Sequence, residues 1–323
     1  MRYLWRRAAH AVLLLFAVSV FSFALVELAP GDYFDEMRLN PQISRDTVAD
    51  LRARYGLDRP LPARYALWLR SVARGELGYS FAYASPVGPL LWPRALHTLA
   101  LTGSATLLAW LLAIAIGVQS AARQGEWPDR LWGALTSGFL ATPDLLVALG
   151  LLLVALRTGA FPTGGMVSPG FGELSAFGKL RDLAAHAVLP VAALVVGMLP
   201  VLVRQVRASM LAALASPFAR AARAHGIPRR RLLYRHALRA AAPPLLSLVG
   251  FSLGSLLSGA LVVEAVMSWP GLGPLLIEAI LARDVYVVVG AVMASTLFLL
   301  AGNLVADLLL YAADPRIRRE GLS

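Results

Sequence analysis

The sequence predicts an all-α, polytopic membrane protein with six transmembrane helices and a small external domain after the first helix. Three observations support this prediction. Of the 323 residues, 58% are hydrophobic, which is well above the share in an ordinary soluble domain. The hydrophobic residues are gathered into six long apolar runs, as expected for segments that cross a hydrocarbon core of about 30 Å. The net charge of +11, combined with these long uncharged runs, indicates a membrane protein rather than a nucleic-acid binder.

The first apolar run, at residues 11–26, follows a basic N-terminal segment. A cleaved signal peptide is the alternative interpretation. The run is too long for the apolar core of a signal peptide, and Glu27 would occupy the third position before a cleavage site after Ala29. We therefore predict that residues 1–28 form a cytoplasmic N-terminus and a retained first transmembrane helix.

Residues 29–94 form a segment of mixed charge between the first two apolar runs. Two helices are predicted within it, at residues 44–55 and 61–74, because Gly56 and Gly75 stand where helices commonly end. We expect this segment to be external. The segment fits two roles equally well: a lid with a purely structural role, or a surface that contacts another protein.

The other five apolar runs define a predicted helical core at residues 95–311, and the short loops between them indicate its orientation. The segment 204–239 contains nine arginines and no acidic residue, so it is predicted to be cytoplasmic. The loops at 157–184 and 267–284 have little excess positive charge and are predicted to be external. Both chain ends, including the tail at 312–323, are then cytoplasmic. The five runs lie at residues 96–118, 131–156, 185–203, 245–266 and 285–311.

Asp144 is the most informative charge within the predicted spans. It follows Pro143 near the middle of the third apolar run, where a carboxylate is costly and is usually functional. Pro143 and Asp144 are therefore candidate residues of a transport pathway. A carboxylate that is paired across a helix interface is the alternative.

The predicted cytoplasmic loop, at residues 204–243, contains a short helix with recognisable ends. Ser216 suits the N-cap, and Pro217 suits the first helical position, where a missing N–H costs nothing. Gly226 suits the left-handed position that follows the last turn. A helix of about nine residues is marginal alone in water, so we expect it to dock against something.

One face of this short helix is formed mainly by small or flat side chains. Phe218, Ala221, Ala222 and His225 recur with the spacing of a helix face. Such a face would let another protein approach the helix backbone closely. The alternative is a solvated basic loop that contacts anionic lipid.

The fifth apolar run is preceded by a second predicted helix and carries a packing face of its own. The preceding helix is predicted to begin at Pro228 and to end at Pro243–Pro244. Within the run, Gly250, Gly254 and Ser258 are spaced four residues apart, as in helices that pack closely in membranes. This face suits contact between subunits and contact within one chain equally well.

The sequence lacks the motifs of several other function classes. Gly178–Lys179 is the nearest approach to a nucleotide-binding loop, but Leu180 stands where serine or threonine is needed. The chain has no cysteine, and its five histidines do not form a zinc-protease pattern. Neither catalytic residues nor a metal site is therefore predicted. Membrane spans on both sides of the arginine-rich loop exclude a DNA-binding role.

The loop resembles one in a known family. The pattern Arg220-Ala221-Ala222-x-x-x-Gly226 is similar to the Glu-Ala-Ala-x-x-x-Gly loop of ABC importer permeases, with arginine in place of the glutamate. The segment 236–239 and Pro244 resemble the dipeptide/oligopeptide/nickel branch, from which this chain departs by an extra Pro243. Further similar segments cover nearly the whole chain, at residues 54–60, 65–69, 75–80, 263–273, 282–284 and 314–318.

This resemblance implies the fold of a type I ABC importer permease and a role in ATP-driven uptake. In that family the loop is the coupling helix, which docks on the ATP-hydrolysing subunit. The chain itself is then not an enzyme and binds no cofactor, since ATP is used by partner ATPase subunits. The matching coupling residues here are Phe218, Arg220, Ala221, Ala222, Arg223 and Gly226.

The resemblance also implies partners, a location and a substrate class. The expected partners are a second homologous permease subunit, ABC ATPase subunits, an external or periplasmic substrate-binding protein that meets the external segment, and membrane lipid. The location is the bacterial plasma (inner) membrane. Di- or oligopeptides are the expected substrates, with nickel or another small solute as the alternative. A stand-alone secondary transporter or channel is the alternative class, but the sequence lacks the chain of acidic groups expected of a proton-driven carrier.

Overall fold

The computed structural model describes residues 2–28, 31, 33–34, 45–54, 56 and 58–313, and these residues are almost entirely helical. Two short strands, β1 (Tyr79–Ser80) and β2 (Ser85–Pro86), form an antiparallel hairpin. A 3₁₀ turn at Phe171–Glu173 precedes α7, and a π-helical segment at Leu232–Ala237 joins α9 to α10. The helices are α1 (Arg2–Leu28), α2 (Arg45–Arg54), α3 (Leu61–Val72), α4 (Val87–Ala122), α5 (Trp127–Leu140), α6 (Asp144–Thr158), α7 (Ala176–Ala215), α8 (Pro217–Ala224), α9 (Arg229–Arg231), α10 (Leu238–Val266), α11 (Leu272–Leu281) and α12 (Val285–Ala313).

Several of these helices could cross a membrane. Within the described residues, α1, α4, α7 and α12 are long and apolar enough to do so. The pair α5 and α6 meets the same criterion when taken together, although the two axes are bent by 101°. The structure therefore shows an all-helical, multi-pass membrane protein with four or five candidate spans.

The chain divides into two compact units, each built from two stretches of sequence. The first unit combines Met1–Thr98 with Pro270–Leu297. The second combines Leu99–Trp269 with Phe298–Ser323. As a result, α4 and α12 each contribute residues to both units.

An aromatic cluster forms the core of the first unit. Phe23 of α1 and Trp68 of α3 are buried together with Val289 of α12, and the rings of Phe23 and Tyr65 meet edge to face at 5.5 Å. The helices predicted at 44–55 and 61–74 are present as α2 and α3. Positive φ angles of 68° and 87° at the glycines that follow them agree with the predicted helix ends.

A buried carboxylate holds the hairpin in the first unit. Asp284, at the start of α12, accepts hydrogen bonds from Ser80 Oγ at 2.6 Å and from the Ala82 N–H at 3.1 Å. At the tip of the hairpin, Tyr83 donates a hydrogen bond to Glu278 of α11. Burial and this hydrogen bond raise the pKa of Tyr83 above its usual value, so the phenol stays protonated and remains a donor.

The second unit is organised around α7, which contacts α5, α6 and α10. Small side chains allow close approach, and Ala105, Ala109 and Ala113 of α4 are completely buried in its core. At Gly117 of α4, an added β-carbon would lie only 2.7 Å from Val206 Cβ of α7. Lipid tails leave little hydrophobic drive between helices, so close packing of this kind is a main source of helix association in membranes.

The prediction of one continuous third span at 131–156 is wrong, because α5 ends at Leu140 and α6 begins at Asp144. Pro143 explains the break. Proline has no N–H to donate, and it disfavours the helical conformation of the residue before it. Asp144 therefore occupies the first turn of α6, where a carboxylate interacts favourably with the helix N-terminus.

The prediction that Pro243–Pro244 end the second loop helix is also wrong, because α10 runs from Leu238 to Val266 through both prolines. Two prolines leave the carbonyls of residues 239 and 240 without their usual N–H partners. Both of those residues are exposed. Their carbonyls can therefore be satisfied outside the helix, which makes the interruption tolerable.

Replacing Gly117 with alanine is expected to destabilise the second unit, because the new methyl group would collide with Val206. The expected loss is about 1–3 kcal/mol, the usual cost of overpacking. The matched control is Gly103→Ala on the same helix, since a β-carbon there has no heavy atom within 4 Å. The control is expected to be neutral or slightly stabilising. Thermal unfolding of the purified protein in detergent is the measurement, and equal melting temperatures for the two variants would contradict the close approach at Gly117.

Candidate functional site

The short helix α8 begins where the sequence predicts. Ser216 is its N-cap residue and Pro217 its first residue. The Ser216 hydroxyl does not cap the helix; it donates instead to the Ala213 carbonyl at 2.6 Å. Ser216 therefore uses its hydroxyl to close the last turn of α7 and its extended backbone to redirect the chain into α8.

The end of α8 is fixed by two backbone hydrogen bonds. The Ile227 N–H donates to the Ala222 carbonyl at 3.1 Å, and the Gly226 N–H donates to the Arg223 carbonyl at 3.0 Å. Gly226 has φ of +70°, as the left-handed residue of this Schellman motif requires. A β-carbon on Gly226 would have no heavy atom within 4 Å, so the backbone conformation alone accounts for the glycine within this chain.

The two faces of α8 have different surroundings. Ala219 is completely buried, on a helix that contacts α7 and the π-helical segment. On the other side, Phe218 is 41% exposed, and Ala221 and His225 are also exposed, whereas Ala222 is half-buried. The loop thus presents an apolar, small-residue surface to its surroundings while its inner face is anchored.

Arginines of the loop attach it to the ends of two long helices. Arg223 Nη2 donates to the Leu214 carbonyl in the last turn of α7 at 2.7 Å. Arg229 Nη2 donates to the carbonyl of Ala122, the last residue of α4. Cations are favoured at helix C-termini, where the carbonyls lack partners. Arg220 is exposed.

Sequence reasoning did not find a buried carboxylate that lies where α5 meets α7. Asp129 of α5 accepts two hydrogen bonds from Arg207 of α7, from Nε at 2.6 Å and from Nη2 at 2.8 Å. It also accepts bonds from the Gly125 N–H at 2.9 Å and from the Ser120 hydroxyl. The carboxylate therefore joins α4, α5 and α7 at one point. No local pattern marks the pair, because its members are 78 residues apart.

Asp144 lies against two helices other than its own. A β-carbon at Gly197 of α7 would be 2.5 Å from Asp144 Oδ1, and one at Gly259 of α10 would be 3.3 Å from Oδ2. Asp144 is nevertheless exposed. Among the described residues, its carboxylate forms no hydrogen bond or ion pair, so a structural partner within this part of the chain is not found.

The predicted packing residues on α10 lie against α12. A β-carbon at Gly250 would be 2.6 Å from Asn303 Oδ1, and one at Gly254 would collide with Leu299. These two glycines therefore lie at a contact within the chain. The side chain of Ser258 is outside the described set.

The fold and the loop together define a multi-pass helical membrane protein whose basic loop holds a separate, anchored helix. Two family models match the sequence, the binding-protein-dependent transport system inner membrane component at residues 113–319 and the N-terminal part of the same membrane components at residues 1–102. The chain belongs to this family. The resemblance inferred from the loop is therefore confirmed.

The sequence similarity to described relatives covers nearly the whole chain. The oligopeptide transport system permease protein AppB of Bacillus subtilis is 33% identical, with 98% of this chain and 98% of AppB covered. The dipeptide transport system permease protein DppB of Escherichia coli K12 is also 33% identical, with 99% of each chain covered. A solved chain of the MetNI methionine ABC transporter, in an inward-facing conformation, has a similar fold. Its TM-score is 0.57 and its identity 17%, over 70% of this chain and 96% of that chain.

Family membership establishes the molecular role. The protein is the permease subunit of a binding-protein-dependent ABC importer in the inner membrane. It is not itself an enzyme, since ATP is hydrolysed by partner ATPases. ATPase subunits and a substrate-binding protein are its partners. Among the described residues, no three histidine, aspartate or glutamate side chains come together as metal ligands.

Replacing Asp129 with asparagine is expected to lower the stability of the second unit by about 2–3 kcal/mol. The asparagine cannot satisfy the Arg207 guanidinium, and hydrogen bonds to charged groups contribute about 1.5–3 kcal/mol each. Arg123→Gln is the matched control, because Arg123 is exposed and lies in the connection between the end of α4 and the start of α5. The melting temperature of the purified protein should fall for Asp129→Asn only. Equal melting temperatures would mean that the pair does not hold the three helices together.

Proposed function

We propose that this chain is one half of the translocation pathway of a peptide importer, with a second homologous permease subunit forming the other half. The full-length relatives that are described as oligopeptide and dipeptide permeases support this substrate class. Nickel and other small solutes receive no support from these two relatives. A transporter or channel that works alone is not supported either, because the family depends on a binding protein.

The proposed topology has six transmembrane helices with both termini in the cytoplasm. α10 supplies the additional span, since its 29 residues extend about 44 Å at 1.5 Å per residue. The broken pair α5 and α6 counts as one span. The orientation rests on the nine arginines of segment 204–239, because basic short loops stay in the cytoplasm.

The proposed organisation assigns one role to each part of the chain. Residues 1–28 are a cytoplasmic end and the first span, and residues 29–94 are an external segment that meets the binding protein. Residues 95–311 are the permease core, with the coupling loop at 204–243, and residues 312–323 are a cytoplasmic tail.

The observation that carries the proposed coupling role is the two-sided character of α8. Its buried Ala219 and its fixed end hold the helix in place, while Phe218 and Ala221 remain exposed for a partner. We infer that this surface docks on an ATPase subunit, with Ala222 and the Schellman glycine setting how closely the backbone approaches. Arg220 and Arg223 lie at the rim of the contact, where charges tune association more than they anchor it.

The bonds between the loop and the long helices suggest how a movement would be transmitted. When ATP closes the ATPase pair, a docked α8 would move with it. Arg223 and Arg229 bond to the ends of α7 and α4, so the displacement reaches two spans directly. Alternating access then follows as a rigid-body rearrangement of the spans.

Asp144 is the proposed pathway residue, together with Pro143, which creates the helix break that presents it. The carboxylate is exposed at the meeting of α6, α7 and α10. A charged group within a membrane segment usually faces a cavity or the interior of a bundle. In the assembled importer this position would face the solute.

Replacing Gly226 with valine is expected to uncouple transport from ATP hydrolysis. A side chain in the left-handed region costs about 1 kcal/mol or more, and a β-branched one more. Either the ATPase subunits bind weakly, or they hydrolyse ATP without peptide uptake. ATPase copurification and uptake in reconstituted vesicles are the measurements.

Gly226→Asn is the matched control for this test, since asparagine tolerates the left-handed conformation and the site has room for a side chain. The asparagine variant should retain most coupling. If the valine variant gave wild-type values in both measurements, the loop would be a basic membrane-surface turn and not a coupling element.

Replacing Asp144 with asparagine is expected to lower peptide uptake several-fold while complex assembly and basal ATPase activity stay near wild type. The two side chains have nearly the same size, so packing against Gly197 and Gly259 is preserved and only the charge is lost. Gly197→Ala should also reduce uptake, because its methyl group would displace the carboxylate. Gly150→Ala on α6 is the control, with no heavy atom within 4 Å of the new carbon. Equal uptake by the wild type and Asp144→Asn would remove Asp144 from the pathway.

A further inference from the structure

The π-helical segment at Leu232–Ala237 connects the cytoplasmic loop to α10. It contacts both α7 and α8, and it continues directly into α10. At its end, the Leu238 N–H donates to the carbonyl of Leu233, five residues earlier, rather than to the carbonyl four residues earlier. Helical turns of this kind are rare and are frequently found at functional sites. The position of this one, between a docking helix and a long apolar helix, therefore needs an explanation.

The extra residue of the π turn lets both ends of the segment face the interior of the second unit. Leu232 and Ala237 are 4% and 0% exposed, and Leu233 and Leu238 both pack against the hydrophobic core. The members of each pair are five positions apart in sequence. In a regular α-helix such residues point in directions about 140° apart, whereas a turn closed by a bond over five residues brings them towards one face. The π turn is therefore part of the packed structure.

A second interruption of the helix follows at Pro243 and Pro244 of α10. Neither proline has an N–H to donate to the preceding turn, so the ladder of helical hydrogen bonds is broken again. Only residues 238–242 separate the two interruptions. Sharp bends in helices are almost always found at prolines or at π turns. With both features close together, residues 232–244 are easier to bend than the rest of α10.

The elements on the two sides of this bendable stretch have different duties. Before it, α8 is anchored by the buried Ala219 and packs against the π segment. After it, α10 packs against α6 and α7 and carries Gly259, where a β-carbon would be 3.3 Å from Asp144 Oδ2. Residues 232–244 therefore lie between the proposed docking helix and a helix that meets the proposed pathway residue.

We propose that residues 232–244 form a joint, which converts a displacement of α8 into a change in the direction of α10. This inference rests on the proposed coupling role of α8. The π segment moves with α8 because the two pack together. The missing hydrogen bonds at Pro243 and Pro244 then let the rest of α10 tilt without loss of its own helical bonds. Hinges of this kind concentrate a large backbone change in a few residues.

The test measures distances between pairs of spin labels in the assembled importer with its ATPase subunits. The chain has no cysteine, so labelled cysteines can be introduced without background from this chain. Arg230→Cys and Phe251→Cys place labels at exposed positions before and after the joint. Their distance should change by several ångströms between the ATP-free and the vanadate-trapped states. The control pair is Leu99→Cys and Gln119→Cys, at exposed positions on α4 with no proline between them, and its distance should stay constant.

The double variant Pro243→Ala/Pro244→Ala restores two N–H donors and is expected to stiffen the joint. The change in distance across the joint should then be smaller than in the wild type, and peptide uptake per ATP hydrolysed should fall several-fold. The melting temperature should equal or exceed that of the wild type, because alanine suits a helix interior far better than proline. Pro93→Ala at an exposed proline within α4 is the matched control, and it should leave uptake and the label distances unchanged.

The outcomes separate the joint from the proposed function. A constant distance across the joint, in an importer whose bound ATPase subunits hydrolyse ATP and drive uptake, would overturn the joint and leave the proposed function intact. A wild-type change in distance in Pro243→Ala/Pro244→Ala would also overturn it, because the prolines would then have no part in the movement. If no ATPase subunit copurifies with the wild-type chain, the proposed coupling role fails, and the joint fails with it.

Discussion

The bidentate pair between Asp129 and Arg207 is the interaction on which the second unit depends. A carboxylate that is 7% exposed is costly to bury unless its oxygens are satisfied, and here four donor atoms from three residues satisfy them. The pair therefore fixes where α4 ends, where α5 begins and how α7 passes both. The position of the loop depends on this arrangement of helices, since α8 follows α7 directly and Arg229 bonds to the end of α4.

Away from this pair, close packing rather than polar bonding holds the helices together. The contacts of Gly117 with α7 and of Gly250 with α12 leave no room for even one methyl group. Helices that meet this closely gain dispersion energy over a large surface, which matters in a solvent that gives little hydrophobic drive. Glycines also make room for Asp144. Gly197 and Gly259 leave space for its carboxylate, which larger side chains at these positions would exclude.

Local features of the chain were predictable from sequence because their physics is local. The start of α8 at Pro217 and the left-handed Gly226 that follows its last turn need only neighbouring residues, and both are found where predicted. The break before Asp144 and the continuation of α10 through Pro243–Pro244 were misjudged. A proline removes the same N–H in both places, and whether the helix survives depends on tertiary surroundings. The pairing of Asp129 with Arg207 and the contact of Gly250 with α12 are not predictable from sequence, because in each case the partner lies more than 50 residues away along the chain.

The two arginine bonds of the loop have a mechanical consequence. α8 is attached to the end of α7 through Arg223, and the turn that follows α8 is attached to the end of α4 through Arg229. In the proposed coupling role, these two attachments would pass a displacement of α8 to both spans with nearly its full amplitude. The efficiency of coupling would then depend on the stiffness of the two attachments rather than on the strength of any single contact with an ATPase subunit.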